Sequence, residues 1–180
     1  METADEDTFT TFVRARGNHF MRLALLLAGS PHEAEDLLQT SLARLYQAWP
    51  RLDMTSTPDA YLRKILVNTR RSWWRSRWRQ ESPVAAVPEV ADPGGDVADT
   101  YALGTLVGAA LARLPRQQRA VLVLRYIEDL PEATVAELLG CSAGTVKSYA
   151  HRGLRTLRAV LGDLDSFRVN ETARSADANK

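Results

Sequence analysis

Apolar residues recur along the chain at the three-to-four-residue spacing of helices. Phe9, Phe12, Val13, Phe20, Leu23, Ala24 and Leu27 form the first series, interrupted by Gly17 and closed by Gly29-Ser30-Pro31. The spacing predicts one helix or two. A second series, Ala34, Leu37, Leu38, Leu42, Leu45 and Trp49, predicts a helix from about Pro31 to Trp49, with Glu35, Asp36, Gln39, Arg44 and Gln47 on its more polar face. Ser30 before Pro31 is a natural cap, because a serine oxygen can accept from the first free amides and proline at the first position loses no bond. Pro50 to Pro58 reads as a loop, and a third helix follows from about Asp59 to Arg79. Further on, Leu103 to Leu114, Pro115 to Ile127, Pro131 to Leu139 and Ala143 to Leu161 repeat the helical period with turn signals between them. No segment reads as a strand. The expected fold class is all-α.

Between the two sets of helices lies ESPVAAVPEVADPGGDVADT, residues 81–100, with Pro83, Pro88, Pro93 and the pair Gly94-Gly95. This composition cannot bury an apolar face and predicts a flexible acidic linker. The expected organisation is therefore two small helical domains, 1–80 and 101–162, joined by that linker and followed by a polar, flexible tail at 163–180. A module of about 60 residues buries only roughly 60% of its unfolded surface. Marginal stability and docking on a larger partner are expected.

Charge sharpens the division. The chain has 180 residues, 45% hydrophobic and 25% charged, and a net charge of +1 that conceals segregation. Residues 58–80 carry Arg63, Lys64, Arg70, Arg71, Arg75, Arg77 and Arg79 against Asp59 alone, whereas residues 81–100 carry Glu81, Glu89, Asp92, Asp96 and Asp99 and no base. Different segments are thus expected to meet different partners. Cys141 is the single cysteine, so no internal disulfide framework exists, and with His19, His32 and His151 scattered over three elements no metal site is expected. No serine or cysteine catalytic motif and no glycine-rich phosphate loop is present, so neither an enzyme nor a cofactor is implied. The run Leu23 to Ala28 is too short to span a bilayer, and the acidic start is unlike a signal peptide. A reducing cytoplasm, without membrane insertion, is the expectation.

The sharpest motif is PEATVAELLGCSAGTVKSYAHRGLRTLR. Helix, glycine-containing turn and helix form the supersecondary unit that reads DNA. Small Ala136 lets the helices approach, Gly140 supplies the turn, and Val135, Leu139, Val146 and Tyr149 fill the angle. Thr145, Lys147, Ser148, His151 and Arg152 are then early positions of the second helix with donors or acceptors suited to base edges and phosphates. A plain pair of antiparallel helices is the alternative.

RRSWWRSRWRQ, residues 70–80, raises a second possibility. On a helix Arg70, Trp74 and Trp78 share a row, and Arg71, Arg75 and Arg79 form another beside it. Aromatic faces beside guanidinium planes suit single-stranded nucleic acid, where stacking contributes about 1 to 3 kcal/mol per base. Equally, Trp73, Trp74 or Trp78 can close the core of the first domain.

Three segments resemble one known family. HEAEDLLQTSLARLYQAW is similar to the core-polymerase-binding helix of bacterial RNA polymerase sigma factors of the extracytoplasmic-function group. YLRKILVNTRRSWW resembles their −10 segment, and LPRQQRAVLVLRYIEDLPEATVAELLGCSAGTVKSYAHRGLRTLR resembles their −35 reader, with AEDLLQ and GTVKS the more specific strings and an actinobacterial look. The resemblance spans about residues 9 to 161 and implies a factor that binds core polymerase, directs it to promoters and assists opening. It implies that Asp36 and Gln39 face the clamp helices of the beta prime subunit. Tyr61, Asn68, Arg70, Arg71, Trp74 and Arg75 fall at the −10 DNA, with the loop Arg51 to Thr57 around a flipped base. Thr145, Lys147, Ser148, His151 and Arg152 fall at the −35 duplex. An anti-sigma factor is a further implied partner. Thr40 stands where the family commonly has an acid, and Pro131 where it commonly has a capping hydroxyl. An autonomous helix-turn-helix regulator is the alternative function, although the chain has no obvious dimerisation heptads.

Overall fold

The computed structural model describes the backbone of residues 2–52, 57–80 and 106–177, and the side chains of residues 6–52, 57–73 and 106–162. Every regular element among the described residues is helical. The order is α1 (Glu2–Ala28), α2 (Pro31–Ala48), a 3₁₀ turn (Trp49–Arg51), α3 (Pro58–Gln80), α4 (Leu106–Ala112), α5 (Arg116–Leu122), a π turn (Val123–Ile127), α6 (Glu132–Leu139) and α7 (Ala143–Asp177).

α1 to α3 form the first group. Gly17 does not break α1, which runs through it as one helix. A glycine there costs about 0.5 to 1 kcal/mol relative to alanine, less than the packing on either side of it contributes. Phe20, Leu23, Ala24 and Leu27 are buried, as are Ala34, Leu37, Leu38 and Leu45 of α2 and Leu62, Leu66 and Val67 of α3. Gly29, at φ 89°, ends α1 in a conformation that disfavours a Cβ. Ser30 then caps α2, its hydroxyl accepting from the Glu33 amide at 3.4 Å with Pro31 at the first position. At the far end Phe9 and Phe12 meet Trp49 edge-on or tilted, with centroids 5.2 and 5.4 Å apart, and the Trp49 indole donates to Thr8 Oγ1 at 3.2 Å. Thr57 plays the capping role for α3, accepting from the Ala60 amide at 3.4 Å.

α4 to α7 form the second group, built on Leu111, Val121, Leu122, Val123, Leu124, Val135, Val146 and Ala150. Gly153 lets α7 close on α5, since a Cβ there meets Leu122 at 3.1 Å. The π turn is followed by Asp129 in a left-handed conformation, φ 50°, which returns the chain so that Leu130 N–H donates to the Leu124 carbonyl at 3.0 Å. α7 continues to Asp177, past Asp163, where fraying is expected. The linker at 81–100 lies outside the described residues, as do residues 53–56 of the loop.

The buried residues of the two groups form one core. Every residue from Leu23 to Ala28 is buried, including Leu25 and Leu26. Leu25 lies about 200° around the helix from Leu23, so one layer of neighbours cannot cover both. α1 packs on α2 and α3 on one side and on α4 and α5 on the other. A helix that is apolar all round is a buried helix, and here the second cover comes from the C-terminal group.

Candidate polymerase and nucleic-acid interfaces

α2 turns its apolar stripe inward, which places Glu35, Asp36 and Gln39 on the solvent side. The Asp36 carboxylate lies 3.7 Å from His32, both side chains well exposed. Such a surface pair contributes little, so both polar groups remain accessible to a partner. Thr40, one position on, is half-buried.

α3 divides its polar residues between two surroundings. Lys64, Asn68 and Ser72 form an exposed row at four-residue intervals, and Tyr61 and Trp73 are half-buried against the core. Arg70 is turned inward, only 5% exposed, with Nη2 donating to the Ala28 carbonyl at 3.0 Å and lying 3.2 Å from Glu33. Arg71 reaches the α6–α7 turn, where its guanidinium occupies the space that a Cβ on Gly140 would need. The side chains of Trp74 and Arg75 lie outside the described residues, as does most of the loop from Arg51 to Thr57.

In the second group α6 ends on Gly140, whose φ 62° and ψ 44° are left-handed, and the Cys141 amide donates back to the Ala136 carbonyl at 3.0 Å. Ser142 opens α7, its hydroxyl accepting from the Thr145 amide at 3.1 Å. The Thr145 hydroxyl lies 2.9 Å from the same Ser142 oxygen, so this half-buried side chain belongs to the cap. Val135 and Val146 fill the angle between the helices, with Leu139 and Tyr149 packed around them. Lys147 is 70% exposed and stands 3.7 Å from Glu132. Ser148 is half-buried and accepts from Arg152 Nη2 at 2.9 Å; His151 and Arg152 are exposed. Arg155 and Arg158 prolong this exposed basic face. Burial raises the Cys141 thiol, partly opposed by Arg71.

Two groupings escaped the sequence reading. Glu128 is inserted between Arg63, whose Nε donates to it at 2.8 Å, and His19, 3.4 Å away at ion-pair distance without hydrogen-bond alignment. Arg119, 4% exposed, donates to the same Ala28 carbonyl as Arg70, at 3.2 Å. Its pKa is lowered to about 10, chiefly by burial and then by Arg70 and Arg116, with Glu33 opposing. The hydrogen bonds among these contacts join residues 42 to 91 positions apart, and no local pattern announces them. Among the described residues no group of histidine, cysteine and acidic side chains could hold a metal, and no helix is long and apolar enough to cross a membrane.

Residues 12–80 match the family description Sigma-70 region 2, and residues 105–157 match Sigma-70, region 4. The chain is 42% identical to the RNA polymerase sigma-E factor of Streptomyces coelicolor, over 92% of this chain and 94% of that protein. It is also 33% identical to the ECF RNA polymerase sigma factor SigL of Mycobacterium tuberculosis, over 79% and 82% of the two chains. The chain belongs to the ECF RNA polymerase sigma factors. Its fold agrees: the sigma factor RpoE of Bartonella quintana, solved in complex with the anti-sigma factor NepR, superposes with a TM-score of 0.63 at 25% identity, over 86% of this sigma factor and 97% of RpoE. The all-α architecture expected from helical spacing is the architecture of this family.

Proposed function

We propose that this sigma factor engages the beta prime clamp helices of core RNA polymerase through Asp36 and Gln39. It meets the separated −10 strand with Tyr61, Asn68, Arg70, Arg71, Trp74 and Arg75, and the −35 duplex with Lys147, Ser148, His151 and Arg152. Thr145 acts there through the cap of α7. The proposed division is residues 1–80 for polymerase and −10 DNA, 81–100 as linker, 101–162 for −35 DNA and 163–180 as tail. The protein performs no bond chemistry itself; it works in the cytoplasm, where its polymerase is, and has an anti-sigma factor as a further partner.

The observation that carries this reading is the match to sigma-E over 92% of the chain, with regions 2 and 4 in that order. The physics of the two surfaces supports it. The outer face of α7 offers Lys147, His151 and Arg152 to a groove, whereas α3 offers Lys64 and Asn68 beside half-buried Tyr61. A separated strand needs its bases already unstacked, at a cost of a few kcal/mol that polymerase must help to offset. Run-off transcription on promoter DNA with core polymerase tests the reading, and promoter-specific transcripts that require this protein are the expected result. Tight, sequence-specific duplex binding by the free chain, unaffected by polymerase, would overturn it in favour of an autonomous regulator.

A further inference from the structure

A surface that meets a polyanion gains affinity from each cation and loses it from each acid. Glu132, the first residue of α6, nevertheless stands 3.7 Å from the Lys147 ammonium on the face proposed to meet the −35 duplex. We propose that Glu132 is a positioning residue for −35 selectivity, holding the Lys147 ammonium over base edges and away from the flanking phosphates. This rests on the reading of α7 as the −35 helix.

The carboxylate is held from its inner side. Arg125 donates through Nη1 to the Leu130 carbonyl, just before α6, and its Nη2 lies 3.9 Å from Glu132 Oε1. Glu132 Oε2 in turn faces Lys147 Nζ. Side-chain exposure rises along this row from 25% for Arg125 through 35% for Glu132 to 70% for Lys147. The row is therefore anchored in the protein at one end and open to solvent at the other.

Lysine needs such a guide. Its ammonium is a compact charge on a flexible four-carbon stem, and unguided it pairs with the nearest phosphate, a contact that carries no sequence information. An acid beside it makes that swing costly, because the carboxylate is then left facing the DNA backbone alone. Selectivity comes from disfavouring the wrong contact as well as from making the right one. In free solution the pair contributes little, being exposed; water expelled on docking lowers the local dielectric and strengthens it. A carboxylate in the first turn of α6, which has no side-chain cap, also suits the positive end of that helix. That second role needs a charge at the helix end and does not need Lys147, so the two can be told apart.

The test uses the full chain with core polymerase, in competition titrations over duplex promoters that carry single-base −35 changes. Wild type, Glu132→Gln, Lys147→Ala and the double variant are compared. Glu132→Gln keeps the size of the side chain and removes its charge. It should lower the preference at the position that Lys147→Ala relaxes by about threefold, the scale of one exposed ion pair, while mismatched promoters bind at least as tightly as before. The released ammonium should also steepen the slope of log affinity against log salt by about 0.9, one added phosphate contact on a duplex. In the Lys147→Ala background the same change should move neither quantity. Urea unfolding checks that each variant folds. An equal change of affinity for every −35 variant, or the same change with and without Lys147, overturns the proposal in favour of plain repulsion or of the helix-end role. A position relaxed by Lys147→Ala and left intact by Glu132→Gln removes the proposal alone. If Lys147→Ala leaves every −35 preference unchanged, the reading of Lys147 as a base reader falls, and the proposal with it.

Discussion

Arg70 of α3 and Lys147 of α7 are both cations on helices proposed to contact DNA, and they sit in opposite surroundings. Lys147 is 70% exposed with one loose acidic neighbour, whereas the Arg70 side chain is 6% exposed and held by a carbonyl and a carboxylate. The difference follows from what covers each helix. α7 packs on α4, α5 and α6, which leaves the outer side of its first turns open, while α3 is covered by α1, α2 and α6. A guanidinium is the cation that tolerates such enclosure, because its planar fork can hold two acceptors at once. Arginine in a basic run is therefore ambiguous between a phosphate ligand and a structural tie, and tertiary context decides.

The largest expected effect tests that contrast through stability. Arg70→Ala removes one partner of Glu33 and one donor to Ala28. Breaking a buried pair from one side typically costs about 3 to 5 kcal/mol, and the partial exposure of Glu33 places the expectation at about 3 kcal/mol. Lys147→Ala should change stability by less than about 0.5 kcal/mol, as exposed substitutions do. Urea unfolding of the two variants measures both. Equal losses would erase the distinction between the inward and outward cations.

Much of this arrangement was legible in the sequence. Ser30-Pro31 announced the start of α2, Gly140 the turn and Ser142 the start of α7, because each is a local rule written in adjacent residues. The alternation of Leu37, Leu38 and Leu45 with Asp36 and Gln39 correctly placed the polar pair outside. Gly17 left one helix or two open, and the single helix follows because strong packing on both sides carries the chain through the glycine. The run LALLLA held a signal that length alone did not reveal: apolar on every side, it required covers on two sides and so foretold the packing of one group on the other. Thr145 shares a hydrogen bond with Ser142, three positions back, at the start of α7, a contact that its place in the motif did not announce. The pairing of Arg63 with Glu128 spans 65 positions and depends on the assembled fold, so neither residue marks itself.

The next effect is on specificity and belongs to the outward face. If Lys147 reads a base edge, Lys147→Ala should relax preference at one −35 position by about 1 to 3 kcal/mol and leave the others unchanged. Competition titrations against a set of single-base −35 variants, with core polymerase present, check this. A uniform loss at all positions would make Lys147 a phosphate contact.

A smaller effect joins the two regions. Gly140→Ala places a Cβ in a left-handed conformation, costing about 1 kcal/mol, and also brings it against the Arg71 guanidinium. The end of that side chain can swing away, so the added cost should be modest. In a double-mutant cycle with Arg71→Ala, a favourable coupling of about 0.5 kcal/mol or more should appear. Zero coupling would place Arg71 away from the turn in solution.

The smallest effect is expected at Arg152, and it separates clamping from reading within α7. Arg152 is exposed and donates to Ser148 at 2.9 Å, one helical turn back. This intrahelical bond is hydrated on its outer side and contributes little to folding, so Arg152→Ala should leave stability within about 0.5 kcal/mol. Its position a turn beyond Lys147 carries it away from the N-terminal tip of the helix, the part that enters the groove most deeply, and toward the phosphates that flank it. Loss of one phosphate contact on duplex DNA lowers the slope of log affinity against log salt by about 0.9. It should also weaken every −35 variant by the same factor, because a phosphate contact carries no sequence information. Titrations at several salt concentrations, repeated over the base variants used for Lys147, measure both quantities. A relaxed preference at one position with an unchanged slope would make Arg152 a base reader, and the outward face would then have no division of labour between its two cations.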